Sequence, residues 1–217
     1  METKEIITSS YILFWLFFDS SRVFEKLQNE SWYMNPHKEW IDSFFMEEGQ
    51  KVLEVGAGIG QLAKYVQERY HCNVTAVDSS ENMIKRAHAS KITMMNADAT
   101  NLPFADESFD FVMSSSLMNI VSDSQKALAE MLRVSKQGAL ITFLVPSEKM
   151  NTVNARKYIQ RNDMKGFSEG SLLFWVKRVR TFSRRELEEI VQVIGYNKSI
   201  QTRYFFDDML VSFTLKK

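Results

Sequence analysis

Strand-like and helix-like patterns alternate along this chain between residues 51 and 145. Short apolar runs predict strands at 51–55, 73–77, 92–96, 109–114 and 139–145. Helical periodicity predicts helices at 59–70 and 80–89, and a third helix before residue 139. Because strands that alternate with helices pair in parallel, the chain is expected to be an α/β protein with a doubly wound, Rossmann-like sheet.

Two more strands are predicted near the C-terminus, at 199–206 and 209–216. The Asp207-Asp208 connection between them is too short to cross over a sheet, so it has to join antiparallel strands. The expected architecture is therefore a mostly parallel, seven-stranded sheet that ends in an antiparallel hairpin. The length of 217 residues fits one domain, without repeats or low-complexity segments.

The N-terminal residues 1–46 are predicted to form helices that cap the sheet. Apolar residues at helical spacing predict a first helix that begins after Ser9-Ser10 and continues to Leu27. Asn35-Pro36 predicts the start of a second helix, which places His37 in the first turn of that helix.

Local signals also predict the ends of two later helices. Capping-box pairs predict where they begin, with Gln125 following Ser122 and Glu186 following Ser183. Gly138 and Gly195 are expected to end them.

A glycine turn preceded by an acidic residue ends the first predicted strand, in the sequence Glu54-Val55-Gly56-Ala57-Gly58-Ile59-Gly60. Its first two glycines permit a backbone that a side chain would obstruct, and the third opens a helix whose free N–H groups can receive a polar group. Asp78 and Asp98 follow the next two strands, at the edge where open α/β sheets bind ligands. A carboxylate there can accept from the two hydroxyls of a ribose. The pattern predicts a nucleoside-bearing ligand.

With these motifs the chain resembles the class I S-adenosylmethionine-dependent methyltransferases. The similar stretches occur in the family's order, at Glu54 to Gly60, Asp78 to Met83, Asp98-Ala99 and Leu102 to Asp110. The resemblance is greatest to small-molecule enzymes such as those of quinone and sterol biosynthesis. It implies that S-adenosyl-L-methionine is the cofactor and that its methyl group is transferred to N, O or S of a small molecule.

The resemblance also implies a cofactor site. Glu54 would hold the methionine amino group, Asp78 the ribose hydroxyls and Asp98 the adenine amino group. The full set of predicted cofactor-binding residues is Glu54, Gly56, Ala57, Gly58, Gly60, Asp78, Ser79, Met83, Ala97, Asp98, Ala99, Ser114 and Ser115.

The candidate catalytic residues are Asn119, Tyr33 and His37. Asn119 follows the fourth strand, where many relatives have a histidine, and its amide can orient an acceptor but cannot take a proton. His37 is either a base that faces the acceptor or a residue on an exposed first helical turn, and the exposed position is favoured. His71 and His88 are expected at the surface. The displacement needs no acid–base pair, because the sulfonium carries its own leaving group.

The single domain, residues 1–217, is predicted to have four parts: the helical cap (1–46), the cofactor-binding core (51–145), a substrate lid (146–182) and a C-terminal helix with the hairpin (183–217). The cap and the lid contain apolar and aromatic clusters, at residues 11–18 and at Phe167, Leu172, Leu173, Phe174, Trp175 and Val176. Core packing is expected for most of them, with a pocket wall or a dimer contact as alternatives. A basic cluster, formed by Lys177, Arg178, Arg180, Arg184 and Arg185, either is a solvated surface or recognises an acidic group.

Composition narrows the classes of partner. Basic and acidic residues are balanced at 27 each, so no net field attracts nucleic acid. Cys72 is the only cysteine, which indicates a reducing, cytoplasmic setting, and no residue spacing suggests a metal site. The longest apolar run, 11–18, is too short to span a membrane, and Glu2 and Glu5 argue against a secretory leader. A monomer or homodimer that acts on a small molecule, without nucleic acid or membrane, is expected.

Two other functions fit part of the pattern. An NAD(P)-dependent oxidoreductase also uses a glycine turn and a ribose carboxylate, although the glycine spacing and the terminal hairpin are against it. A non-catalytic, S-adenosylmethionine-binding regulatory or scaffold subunit is compatible with Asn119 in place of the family histidine.

Overall fold

The computed structural model describes residues 8, 10–14, 19–87 and 92–217 of the chain. Its strands are β1 (Lys51–Val55), β2 (Asn73–Asp78), β3 (Thr93–Asn96), β4 (Phe109–Ser115), β5 (Ser135–Pro146), β6 (Gln201–Phe205) and β7 (Leu210–Lys216). They form one seven-stranded sheet in the order β3-β2-β1-β4-β5-β7-β6. Strands β1 to β5 pair in parallel, whereas β7 is antiparallel to both β5 and β6. The predicted fold class and the closing hairpin are confirmed.

Helices cover both faces of this sheet. They are α1 (Ser20–Gln28), α2 (Ser31–Asp42), α3 (Gln61–Tyr70), α4 (Glu81–Ala87), α5 (Ser124–Val134), α6 (Thr152–Arg161), α7 (Phe167–Val176) and α8 (Arg184–Val193). Two apolar clusters lie between helices and sheet, one on each side. Trp40 of α2 is fully buried, and its Nε1 donates to Thr142 Oγ1 of β5 at 3.2 Å, which fastens the N-terminal helices to the sheet.

The position of β1 determines where a ligand can bind. Its residues Val52, Leu53 and Val55 are completely buried, as expected for a central strand covered on both faces. The chain moves from β1 outward to β2 and β3, and then returns to the other side of β1 as β4. The strand order reverses at β1, and open α/β sheets bind ligands at such a switch point.

The start of α2 differs from the prediction. The helix begins at Ser31 rather than after Asn35, so that Pro36 lies inside it. His37 is consequently in the middle of a helix whose inner face contacts the core, and only 2 % of its surface is exposed. The preferred interpretation of His37 as an exposed residue is therefore wrong. His71 is exposed at the end of α3, as predicted.

The apolar residues near the N-terminus do not belong to one helix. Residues 10–14 are helical, and a new helix begins at Ser20. Asp19 before it has an extended backbone (φ −162°), and its side chain accepts from the backbone N–H of Ser21. Ser10 is itself helical rather than a cap. The predicted cap Ser9, residues 15–18 and His88 lie outside the described residues.

Helix α5 also differs from its prediction at both ends. Asp123 caps it, accepting from the N–H of Lys126 at 2.9 Å, so the predicted Ser122 and Gln125 pair is wrong. The helix ends at Val134 rather than Gly138. The reason is that Ser135 already has an extended backbone and begins β5.

The start of α8 is as predicted. The Ser183 side chain accepts from the N–H of Glu186, and the Glu186 side chain accepts from the N–H of Ser183. This reciprocal pair is the predicted capping box. Gly195 follows the end of the helix with a φ of +72°.

Candidate active site

A cavity of about 750 Å³ opens at the carboxyl edge of the sheet, where β1, β2 and β4 end. Helices α1, α2 and α7 form its other walls. It is lined by the three candidate catalytic residues and by all the predicted cofactor-binding residues except Gly60 and Ser114. Side chains more than 60 residues apart in the sequence thus meet in one space.

The glycine turn and Asp78 hold each other in place. Gly56 and Gly58 have φ values of +74° and +58°, which side-chain-bearing residues rarely adopt. A Cβ on Gly56 would lie 3.1 Å from Leu117 Cδ1, so the backbone passes close to the loop after β4. The Gly58 N–H donates to Asp78 Oδ2 at 2.8 Å, and the Ser80 N–H donates to Asp78 Oδ1 at 2.9 Å. The carboxylate keeps lone pairs available for a ligand.

Glu54 lies at the end of β1 with only 2 % of its surface exposed. Its Oε2 has no hydrogen-bond partner among the described residues. Burial raises the pKa of Glu54 to about 8, while a backbone hydrogen bond from Ala63 opposes the shift and the charge of nearby Asp78 adds to it. An unpartnered buried carboxyl group of this kind favours a cationic partner that enters the cavity.

The remaining predicted cofactor residues fall into two groups. Asp98 lines the cavity and accepts from the N–H and the hydroxyl of Thr100, which lowers its pKa. Gly60 instead caps α3, and a Cβ on it would lie 3.2 Å from Met94 Sδ, which places it against β3. Ser114 is buried in β4, also outside the cavity lining.

His37 and Tyr33 occupy the wall formed by α2. The His37 Nδ1 lies 2.6 Å from the carbonyl oxygen of Tyr33, and the two rings stack with centroids 4.7 Å apart. Because a carbonyl oxygen can only accept, Nδ1 carries the proton and donates it. Burial lowers the pKa of His37 to about 4 and raises that of Tyr33 to about 12, so both are neutral at pH 7. Within the part of the chain that the structure describes, the His37 Nε2 has no hydrogen-bond partner.

Asn119 lies in the loop after β4 with 2 % of its surface exposed. Its Nδ2 donates to the Arg180 carbonyl oxygen at 3.0 Å, and the Arg180 guanidinium donates back to the Asn119 carbonyl oxygen at 3.1 Å. None of the described residues donates a hydrogen bond to the Asn119 Oδ1. These bonds tie the loop after β4 to the segment that follows α7.

Comparison with known proteins agrees with this geometry. A family model described as a methyltransferase domain matches residues 53–143. A demethylmenaquinone methyltransferase of Renibacterium salmoninarum is 41 % identical over 100 residues, which cover 45 % of this chain and 42 % of that protein. The chain spans about half the length of the curated relatives it matches first.

Solved structures share the fold. An Aquifex aeolicus SAM-dependent methyltransferase has a TM-score of 0.64 at 18 % identity, covering 89 % of this chain and 96 % of its own. Haemonchus contortus phosphoethanolamine N-methyltransferase 2, solved with S-adenosyl-L-methionine, has a TM-score of 0.63 at 22 % identity, covering 85 % of this chain and 43 % of its own.

Residues 53–143 of the chain thus match a methyltransferase domain. The chain has the fold of solved S-adenosylmethionine-dependent methyltransferases, which supports the predicted family and the predicted cofactor. None of the described helices has the length and apolar character to cross a bilayer.

Several residues that line the cavity were not found from the sequence. Gln28 of α1 reaches the glycine turn, because a Cβ on Gly58 would lie 3.4 Å from Gln28 Nε2. Ser116 lines the cavity with a left-handed backbone (φ +52°) and an unpartnered hydroxyl. Neither has a local sequence signal, since both reach the cavity only through tertiary packing.

The predicted lid residues separate into core and cavity wall. Leu172, Leu173 and Val176 belong to the core, as predicted, while Phe174 and Trp175 line the cavity. The basic cluster also separates. Arg184 and Arg185 pair with Glu188 and Glu189 on the outer face of α8, whereas Arg178 and Arg180 line the cavity.

Arg86 connects α4, the helix that follows β2, to α1 and to the residue before it. Its guanidinium donates to the Ser21 hydroxyl at 2.5 Å, to Glu25 at 2.6 Å and to Asp19 at 2.9 Å. The hydrogen bonds of Asp19 to Ser21 and to Arg86 lower the Asp19 pKa to about 2. This network holds α1, and with it Gln28, over the glycine turn.

Arg86→Ala is expected to increase the dissociation rate of S-adenosylhomocysteine roughly fivefold, since the lost network is worth about 1 kcal/mol. High salt should produce the same change in the wild type. Stopped-flow tryptophan fluorescence would measure both rates. Lys85→Ala is the matched control, because Lys85 pairs with Glu81 of the same helix. Equal rates in the two variants would contradict the role of Arg86.

Proposed function

We propose that the chain transfers the methyl group of S-adenosyl-L-methionine to N, O or S of an apolar small molecule. The observation that carries this proposal is that one cavity contains both the acidic strand ends and an aromatic wall. Donor and acceptor can therefore lie side by side in a space of about 750 Å³, within the usual range of ligand sites.

Each end of the donor has a proposed partner. Glu54 would hold the methionine ammonium, the hydroxyls of the ribose would donate to Asp78, and the adenine amino group would donate to Asp98. Met83 and Ala99, both buried beside the cavity, offer apolar contacts to the adenine ring. The unpartnered buried oxygen of Glu54 supports this orientation.

The protein's contribution to the reaction is positioning. The bound sulfonium supplies both the methyl group and the leaving group, so the main task of the walls is to align the acceptor and exclude water. Holding two reactants in line can contribute about 7 to 11 kcal/mol to the barrier reduction. Helices α1 and α7 cover the cavity, and the mutual hydrogen bonds of Asn119 and Arg180 keep the α7 side closed.

The acceptor half favours a flat, apolar molecule. Its wall is formed by Phe24, Leu27, Tyr33, Phe174, Trp175 and Val179. Aromatic faces of this kind attract rings and also a sulfonium, at about 0.5 to 2 kcal/mol for each cation contact. The relative from Renibacterium salmoninarum is named for a quinone, demethylmenaquinone, which is a molecule of the same character.

Isotope transfer tests the proposal. A cell extract incubated with the protein and a deuterated methyl donor is expected to yield a labelled product in the organic-soluble fraction, detected by mass spectrometry. Trp175→Ala removes an aromatic ring from the proposed acceptor wall. We expect it to reduce the amount of labelled product at least about tenfold and to leave the affinity for S-adenosylhomocysteine unchanged. Tight cofactor binding without any labelled product would instead favour the non-catalytic scaffold subunit.

Three expectations from the sequence remain predictions: the cytoplasmic location, the monomeric or homodimeric state, and the division of the chain at residues 46, 145 and 182. Analytical ultracentrifugation of the purified protein measures the second of these.

A further inference from the structure

Two residues that line the cavity each contain a buried hydrogen-bond acceptor for which the described residues provide no donor, one on α2 and one in the loop after β4. The acceptors are His37 Nε2 and Asn119 Oδ1, and each residue has only 2 % of its surface exposed. A buried acceptor that no donor satisfies is energetically unfavourable. A ligand that brings donors to these atoms recovers that cost.

In each residue a hydrogen bond from the other polar atom of the side chain determines which atom is left without a donor. The His37 Nδ1–H donates to the Tyr33 carbonyl oxygen, so Nε2 has a lone pair and no proton. The Asn119 Nδ2 donates to the Arg180 carbonyl oxygen, so Oδ1 is the free end of the amide. Hydrogen bonds to the backbone therefore leave an acceptor atom, and not a donor, free on both side chains. These two atoms favour a ligand group that donates a hydrogen bond.

Of the two atoms, only His37 Nε2 can take a proton in the reaction, because an amide oxygen is not a base near neutral pH. The titratable and charged groups that line the same cavity are Tyr33, Glu54, Asp78, Asp98, Arg178 and Arg180. The pKa of His37 is low mainly because the ring is buried, and not because of these groups. The ring is therefore neutral although charged groups line the same cavity.

We infer that the methyl acceptor is a neutral aromatic hydroxyl compound, and that His37 Nε2 removes its proton as the oxygen is methylated. This inference rests on the proposed methyl transfer. The O–H bond breaks towards His37 Nε2, and an oxygen lone pair forms the new bond to the methyl carbon. The carbon–sulfur bond breaks, and its electron pair neutralises the sulfonium. The O–H group becomes more acidic as the oxygen bonds to carbon, which lets a weak base accept the proton. The resulting imidazolium then returns the proton to water.

Two probes of nearly the same shape test the donor requirement, 2-naphthol and 2-methoxynaphthalene, each titrated into the protein saturated with S-adenosylhomocysteine. We expect 2-naphthol to bind about tenfold more tightly, as one hydrogen bond to a buried acceptor allows. The preference should fall below about twofold in His37→Ala and persist in His71→Ala, whose histidine is exposed. Equal binding of the probes to the wild type, no binding of 2-naphthol, or loss of the preference only in Asn119→Ala would each overturn the inference.

A spectroscopic measurement keeps the test independent of how His37→Ala folds. The chain has three histidines, so ¹⁵N NMR of labelled imidazoles can be assigned with single variants. His37 is expected to stay neutral down to about pH 5, with its proton on Nδ1 and none on Nε2. The addition of 2-naphthol should shift the Nε2 signal. A proton on Nε2 in the neutral ring, or an Nε2 signal that 2-naphthol leaves unchanged, overturns the inference. Failure of S-adenosylhomocysteine to bind at all would instead refute the proposed function.

Discussion

Asp78→Ala is expected to weaken the binding of S-adenosylhomocysteine at least about 100-fold. The Asp78 carboxylate accepts hydrogen bonds from the N–H groups of Gly58 and Ser80. In the proposed complex it also accepts hydrogen bonds from the ribose hydroxyls. A hydrogen bond to a charged group is worth about 1.5 to 3 kcal/mol, so the loss of two to the ligand accounts for a change of this size. Because the glycine turn loses its anchor as well, the effect should exceed that of the ligand contacts alone. Isothermal titration calorimetry measures the change.

Two further variants isolate the role of the Asp78 carboxylate. Asp78→Asn is expected to have an intermediate effect, because an amide oxygen can still accept one N–H while its NH₂ group repels the other. Asp163→Ala should leave the affinity unchanged, since Asp163 is an exposed residue paired with Lys165. If Asp78→Ala binds S-adenosylhomocysteine within about twofold of the wild-type affinity, Asp78 does not make the proposed ribose contact.

The sheet and its ligand edge could be predicted because their signals are local. Each central strand is a short, mostly apolar segment, and the short Asp207-Asp208 link leaves only the antiparallel arrangement for the last two strands. Helix starts were less predictable, because several residues compete for the same cap. Asp123 caps α5 although Ser122 beside it has a partner at the capping-box spacing.

The cavity residues that follow strands could also be predicted more easily than those on α2. Asp78 and Asp98 directly follow strands, so the topology alone brings them to one edge of the sheet. His37 reaches the cavity only because α2 packs against β5 through Trp40, a contact between residues 102 positions apart. No local pattern distinguishes a buried helical histidine from an exposed one. Sequence reasoning therefore favoured an exposed position for His37, with a base that faces the acceptor as the alternative, whereas the residue is buried.

Glu54→Gln is expected to stabilise the ligand-free protein while it damages the site. The pKa of Glu54 is about 8 in the folded protein, against an ordinary value of 4.5, so the folded state binds the proton more tightly than the unfolded state. The wild type therefore loses stability relative to the variant as the pH rises from 4.5 to 8. At pH 7 the difference is up to about 3 kcal/mol in favour of the variant. Chemical denaturation at several pH values measures it, with the exposed Glu48→Gln as a control that should show no gain.

The same substitution is expected to weaken cofactor binding and to change its pH dependence. In the proposed complex the methionine ammonium pairs with ionised Glu54, so binding below pH 8 has to release the proton of the buried carboxyl group. The affinity of the wild type should therefore rise about tenfold per pH unit between pH 6 and 8, and then level off. In Glu54→Gln the affinity should be lower and independent of pH over that range. Calorimetry in buffers with different ionisation enthalpies detects the released proton directly. A variant that retains both the affinity and the proton release would show that the ammonium binds elsewhere, and that the buried charge at the end of β1 has no part in holding the methyl donor.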